Sequence, residues 1–133
     1  MFTFKKEERL CSKKLLDGLF SNGSSFLVYP FKVTHLRQTL EVKYPVQVVI
    51  VVPKRRFKRA NQRNLIKRRI REAYRLHKSE LLYPFLQEQK IQLLLSFQYV
   101  GKEIEDFKLI EKKLLTVFKQ LFNIYGPGDN KVN

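Results

Sequence analysis

The strongest constraint on the fold of this chain is an apolar, β-branched run that is followed directly by a long basic segment. Residues 46–52 read VQVVIVV, and such near-continuous apolarity is typical of a strand covered on both faces inside a sheet. Pro53 ends the run. The next segment, residues 54–78, holds twelve Lys or Arg residues and one acid, and it carries +11 of the formal net charge of +15. The excess positive charge is therefore local.

The basic segment is predicted to form a helix over residues 62–82 with Asn61 as its N-cap. At helical spacing, one set of residues falls within about one third of the circumference, the width of a core-facing stripe. This set comprises Ile66, Ile70, Ala73, Tyr74, His77 and Leu81. A second, mainly cationic set gathers on another third, and it comprises Asn64, Lys67, Arg68, Arg71, Arg75 and Lys78. One face is thus predicted to pack and another to be cationic.

The cationic face has two interpretations, a solvated helix surface or a nucleic-acid contact. Ordinary surface helices place acids in the first turn, where each stabilises the helix by roughly 0.3–1 kcal/mol. Here Lys58, Arg59 and Arg63 crowd the helix start instead, and an anion would relieve their repulsion. Asn64 is a poor residue for a helix interior, but its amide suits a base, ribose or phosphate contact. These features favour nucleic-acid binding.

Residues 59–75, RANQRNLIKRRIREAYR, resemble the signature of the bacterial ribonuclease P protein component. In that family an Arg-Asn-Arg core precedes Ile-Lys-Arg and then Arg-Glu. The matching residues are Arg63, Asn64, Ile66, Lys67, Arg68, Arg71 and Glu72. Leu65 stands where the core has its second arginine, and Arg69 is expected to compensate in part. A weaker likeness extends over most of the chain, including Arg9-Leu10 and a short helix that ends in Phe20.

The resemblance implies a non-catalytic subunit of an RNA enzyme. In ribonuclease P a catalytic RNA, using Mg²⁺ bound mainly by that RNA, hydrolyses precursor tRNA to form the mature 5′ end. The residues expected to contact the catalytic RNA are Lys54, Arg55, Arg59, Arg63, Arg68 and Arg71. The residues expected to line a cleft for the single-stranded 5′ leader are Phe20, Leu16, Phe31, Asn64 and Lys67. The sequence alone leaves Phe20 equally open to a core position.

The remaining segments predict an α/β sandwich of two layers, in the order α-β-β-β-α-β-α, around a mixed four-stranded sheet. A single domain is expected over residues 1–125, with a flexible tail over 126–133. The predicted elements are a helix over 13–21 that Ser12 caps and a left-handed Gly23 ends, a strand over 26–36 interrupted by Pro30, a polar strand over 38–44, a strand over 91–99 parallel to 46–52, and a helix over 105–122. The resemblance adds a left-handed crossover between the two parallel strands.

Composition narrows the partners of the chain. A pI near 10.1 implies a polyanion, either nucleic acid or an acidic membrane surface. No apolar run approaches the about 18 residues of a spanning helix, and the N-terminus lacks the apolar region of a signal peptide, so we expect a cytoplasmic protein with no membrane partner. Cys11 stands alone, which excludes an intrachain disulfide.

The basic segment is compatible with three classes of function: a ribonuclease P subunit, a structural RNA-binding protein and a DNA-binding protein. A catalytic residue is not expected in this chain, because His77 lies on the apolar face of the predicted helix, as a core residue would, and His35 has no evident partner for acid–base chemistry. The main alternative to a ribonuclease P subunit is a ribosomal-type structural RNA-binding protein, which would have no leader cleft. A DNA-binding protein is disfavoured, since a strand rather than a helix precedes Asn61. The protein is expected to be monomeric within the holoenzyme.

Overall fold

The computed structural model describes residues 4–126. The elements, in chain order, are a short 3-10 turn Lys6–Glu8, helix α1 Lys13–Asn22, strands β1 Ser24–Val28, β2 Phe31–Arg37 and β3 Val46–Val51, helix α2 Ala60–His77, a π-helical turn Lys78–Leu82, helix α3 Tyr83–Gln89, strand β4 Leu93–Tyr99 and helix α4 Phe107–Tyr125. The single domain over 1–125 stays a prediction. Of the predicted tail, Gly126 is described and residues 127–133 lie outside the described part of the chain.

The strands form one mixed sheet in the order β1-β2-β4-β3. β2 pairs antiparallel with both β1 and β4, whereas β3 and β4 are parallel, as predicted. The α/β class and the mixed four-stranded sheet are thus confirmed, and the handedness of the crossover stays a prediction. The expectation that β3 lies inside the sheet is wrong, since β3 is an edge strand. The N-terminal segment covers part of that edge, with the Leu10 N–H donating to the Val48 carbonyl at 2.9 Å.

Two predicted strands differ from the structure. The run 26–36 forms two antiparallel strands, β1 and β2, joined by a turn at the cis Tyr29–Pro30 bond. Residues 38–44 form no strand, because the Gln92 side chain takes the place of a strand partner. Its Oε1 accepts from the Leu40 N–H at 2.9 Å, and its Nε2 donates to the carbonyls of Val42 and Tyr44 at 2.9 and 3.0 Å.

Helix ends also differ in detail. Ser12 caps α1 as predicted, accepting from the Leu15 N–H at 3.3 Å, but Gly23 is extended (φ −75°) rather than left-handed. Arg59, not Asn61, occupies the N-cap position of α2. Pro84 lies in the first turn of α3, where its missing N–H costs no helical bond.

The core lies mainly between one face of the sheet and α2, α3 and α4. In the predicted stripe of α2, four residues are fully buried, whereas His77 is half-buried and Leu81 is 42% exposed. The buried four are Ile66, Ile70, Ala73 and Tyr74. α1 packs on the opposite face of the sheet, where Leu19 joins Leu94 in a second, smaller cluster. The two faces of the sheet are therefore unequally covered.

Candidate nucleic-acid interface

The basic face of α2 presents several cations of the basic segment on one side of the helix. Asn64, Arg68 and Arg71 are exposed and Lys67 is half-buried, while the first turn of the helix contains no acid. The one acid of the helix, Glu72, is neutralised by Arg75, whose Nε donates to its Oε1 at 3.0 Å, and this contact holds the pKa of Glu72 below its usual value. The face is therefore strongly cationic.

Lys78 does not belong to this face. It was predicted among the cationic positions, but its side chain is 2% exposed and forms an ion pair with the buried Glu8 carboxylate. The π-helical turn that begins at Lys78 changes the helical register and turns this side chain inward.

A basic loop precedes α2 and extends its charged surface. Its exposed cations are Lys54, Arg55, Arg56, Lys58 and Arg59. Phe57 anchors the loop, since it is 6% exposed and its ring centroid lies 5.9 Å from that of Tyr99. Arg63 shapes the loop from within α2, because its Nη1 donates to the carbonyls of Phe57 and Lys58 at 2.8 and 2.9 Å. The guanidinium of Arg63 is thus partly engaged in structure.

The sheet face that α1 covers only in part forms an open floor. The register places one cross-strand row on this face, and it comprises Leu27, Lys32, Gln98 and Val51. Lys32 and Leu27 are exposed. Sequence reasoning missed this row, because alternation along each strand is visible in a sequence but the pairing register is not.

α1 supplies a wall beside this floor. Phe20 is 53% exposed, so the core alternative that the sequence left open does not hold. Leu16, one turn earlier, is half-buried and packs in the same small cluster as Val49 of β3. Val49 also lines a groove of about 170 Å³ together with Lys67 and Arg71, so this residue of β3 borders both the cluster under α1 and the basic face of α2.

Two sequence expectations fail at this surface. Phe31 is fully buried on the opposite face of the sheet, with its ring 6.1 Å from that of Phe97, so it belongs to the core and not to the cleft. Arg69 does not stand in for the arginine that Leu65 replaces. Its Nη1 donates to the Glu105 carbonyl at 2.6 Å, which directs it toward the start of α4 and away from the basic face.

The described residues contain no evident catalytic constellation. His35 lies 2.7 Å from the Tyr125 hydroxyl and burial lowers its pKa, while His77 pairs with Glu111 at 2.7 Å. Among residues 4–126 no three His, Cys, Asp or Glu side chains gather as metal ligands. No helix within 4–126 is both long and apolar enough to cross a membrane.

The fold and its basic face define an α/β nucleic-acid-binding domain. The family model described as Ribonuclease P matches residues 4–121. The ribonuclease P protein component of Porphyromonas gingivalis strain W83 is 38% identical over 126 residues, covering 94% of this chain and 88% of that protein. The component of Petrotoga mobilis is 31% identical, covering 90% of this chain and 95% of that protein.

Solved structures show the same fold. The Staphylococcus aureus RNase P protein superposes with a TM-score of 0.65 at 23% identity, covering 86% of this chain and 94% of that one. The Thermotoga maritima RNase P protein gives 0.67 at 24% identity, covering 85% and 96%. The chain therefore belongs to the ribonuclease P protein family. It is the protein subunit of a bacterial ribonuclease P, an RNA-binding component of tRNA 5′-end processing.

Proposed function

We propose that this subunit binds the catalytic RNA of ribonuclease P through α2 and its preceding loop and holds the 5′ leader of precursor tRNA against α1 and the open sheet face. The observation that carries the proposal is the basic face of α2, whose one acid is paired with Arg75. The like charges on such a surface repel one another, and this repulsion is relieved when the surface lies against phosphates.

Contacts with the catalytic RNA are assigned to exposed cations of α2 and the loop. These are Lys54, Arg55, Arg59, Arg68 and Arg71. Each would neutralise a backbone phosphate and release counterions, which makes binding strong at low salt and independent of sequence. Arg63 has a different part, since it holds the loop in the shape that presents the other cations.

The leader is assigned to the cleft beside α1. Phe20 offers an exposed ring on which a base can stack, and Leu16 supplies an apolar wall next to it. Asn64 and Lys67 supply a polar edge for sugars and phosphates, and Lys32 adds a cation on the floor. Stacking and phosphate contacts read no strict sequence, which suits a subunit that must accept the leaders of many precursor tRNAs.

Catalysis is assigned to the RNA. The Mg²⁺ that the reaction needs is expected to bind mainly to the RNA subunit, and the catalytic groups are expected in that RNA. We further expect one copy of the protein in each holoenzyme and a cytoplasmic location.

The leader assignment is tested by comparing two ligands of the assembled holoenzyme, precursor tRNA with a leader and mature tRNA without one. The protein should raise the affinity for precursor tRNA more than that for mature tRNA, and Phe20→Ala or Lys67→Ala should reduce this difference. Lys112→Ala, which removes an exposed cation of α4, is the matched control. If the protein changed both affinities equally, it would act as a structural RNA-binding protein and the leader assignment would fail.

A further inference from the structure

A groove along the outer edge of β3 adds the N-terminal segment to the surface assigned so far, because residues of that segment line it together with Lys67 and Arg71. Its volume is about 170 Å³, and its lining residues come from the N-terminal segment, β3 and α2. These are Phe4, Arg9, Leu10, Val48, Val49, Ile50, Lys67 and Arg71. Three cations thus converge on a small groove with an apolar floor.

Arg9 is brought to this groove by backbone pairing. It forms an isolated parallel bridge with Val48, and the Leu10 N–H donates to the Val48 carbonyl at 2.9 Å. Its guanidinium carbon lies 5.3 Å from the centroid of the Phe4 ring.

The three cations are not neutralised by the chain within the described range. Among residues 4–126, no carboxylate lies within ion-pair distance of Arg9, Lys67 or Arg71. Like charges that converge without a counter-charge repel one another, and a bound anion removes that cost. The guanidinium groups of Arg9 and Arg71 each offer paired N–H donors that match the oxygens of a phosphate.

Next to Arg9, a buried ion pair fixes the N-terminal segment. Glu8 is 1% exposed and Lys78 2% exposed, and the Glu8 carboxylate accepts from both the Lys78 ammonium and the Tyr83 hydroxyl. The ammonium also lies 5.2 and 5.3 Å from the ring centroids of Phe4 and Tyr83. Burial lowers the pKa of Lys78 and raises that of Tyr83. An ordinary solvated arm would not contain such a contact, because burying two charges is costly.

We propose that Arg9, Lys67 and Arg71 form a phosphate-binding subsite for the RNA backbone, and that the buried Glu8–Lys78 pair positions Arg9 in it. The proposal rests on the RNA-binding function proposed above and extends it to the N-terminal segment. The ligand is a phosphodiester, and its source is either the catalytic RNA or the leader of precursor tRNA.

The subsite is tested with Arg9→Ala, because the Arg9 side chain is exposed and its described side-chain contact is with the Phe4 ring. Lys112→Ala is the matched control, which removes one exposed cation from α4. Binding is measured over a range of salt concentrations with three probes: the catalytic RNA alone, and precursor tRNA or mature tRNA added to the holoenzyme. Loss of one phosphate contact should lower affinity several-fold and reduce the salt slope by about one unit, whereas the control should keep the wild-type slope.

The three probes distinguish the two sources of the phosphate, and they distinguish failure of the subsite from failure of the proposed function. A reduced slope with the catalytic RNA alone supports the subsite and assigns its phosphate to that RNA. A reduced slope only with precursor tRNA supports it and assigns the phosphate to the leader. If wild-type protein binds but Arg9→Ala behaves like the control with all three probes, the subsite is overturned. If wild-type protein does not bind the catalytic RNA, the proposed function itself fails.

The positioning role is tested by a double-mutant cycle between Glu8→Gln and Arg9→Ala, with thermal unfolding to verify that each variant is folded. If Glu8 acts through Arg9, Glu8→Gln should lower affinity in the wild-type background and add nothing in the Arg9→Ala background. An equal loss in both backgrounds would overturn the positioning role. Tyr83→Phe, which removes one bond to Glu8 and keeps the ring, gives the same test if Glu8→Gln does not fold.

Discussion

His35 and Tyr125 are 90 residues apart in the chain, and the His35 Nδ1 lies 2.7 Å from the Tyr125 hydroxyl. The two rings meet edge to face, with centroids 5.4 Å apart. The contact joins β2 to the last turn of α4. It also gives a structural part to a histidine that had no evident partner in the sequence and to a tyrosine that lies beyond the predicted helix over 105–122.

This contact predicts a pH dependence of stability. Burial lowers the pKa of His35 below its ordinary value of 6.5, so the unfolded chain binds a proton at His35 more readily than the folded protein. The contribution of His35 to the free energy of unfolding is complete when the pH is above the ordinary pKa of 6.5, and it is lost as the pH falls from there through the lowered pKa of the folded protein. The free energy of unfolding, measured with urea from about pH 7.5 to about pH 5.5, should therefore decrease, and less so in His35→Gln. Equal slopes in the two proteins would contradict this account.

Two glycines near the end of α1 predict opposite effects of the same substitution. A Cβ on Gly23 would lie 2.5 Å from the Leu19 carbonyl oxygen and 2.9 Å from that of His35, whereas one on Gly18 meets nothing within 4 Å. Gly23→Ala should destabilise the protein by about 1–3 kcal/mol because backbone atoms must move. Gly18→Ala should stabilise it by about 0.5–1 kcal/mol, since glycine is unfavourable inside a helix. Chemical denaturation of both variants checks the pair, and a tolerated Gly23→Ala would refute the close packing.

Phe20 and Leu19 are neighbours in sequence with different expected losses. Leu19 is fully buried, so Leu19→Ala should cost about 2–5 kcal/mol of stability. Phe20 is 53% exposed, so Phe20→Ala should cost only about 1 kcal/mol of stability while weakening leader binding by about 1–3 kcal/mol. Unfolding and binding are measured on the same preparations. A large stability loss without a binding loss in Phe20→Ala would return this ring to the core.

Substitutions of Arg68 and of Arg63 should have different effects, the first mainly on RNA binding and the second mainly on the structure of the loop. Arg68 is exposed and makes no contact described within residues 4–126, so Arg68→Ala should leave stability within about 0.5 kcal/mol and reduce the salt slope of RNA binding by about one unit. Arg63→Ala should lower stability by about 1–3 kcal/mol, because two carbonyls lose a charged donor. The same stability in both variants would show that the loop does not depend on Arg63.

The sequence predicted those features that depend on local pattern. The core stripe of α2 follows from 3.6-residue periodicity, the Ser12 cap from its position before an apolar run, and the parallel pairing of β3 and β4 from the helix between them. The family itself was identified from a seventeen-residue signature, residues 59–75.

Features that depend on distant partners could not be read in this way. Lys78 looked like one more surface cation, because its partner Glu8 is 70 residues earlier and the π-helical turn that rotates it leaves no sequence mark. Phe31 was expected in the cleft. Strand register decides which face of the sheet a side chain occupies, and the observed register places Phe31 on the core face. The segment 38–44 alternates like a strand, but the Gln92 amide occupies its backbone groups instead.

The central claim is that this protein assists a catalytic RNA in removing 5′ leaders. The most direct test measures precursor tRNA cleavage at low Mg²⁺ concentration by the cognate catalytic RNA alone, by the protein alone and by the two together. The account predicts cleavage at the mature 5′ end that the protein strongly stimulates in combination and none from the protein alone. Cleavage by the protein alone, or no stimulation when both components are correctly folded, would contradict it.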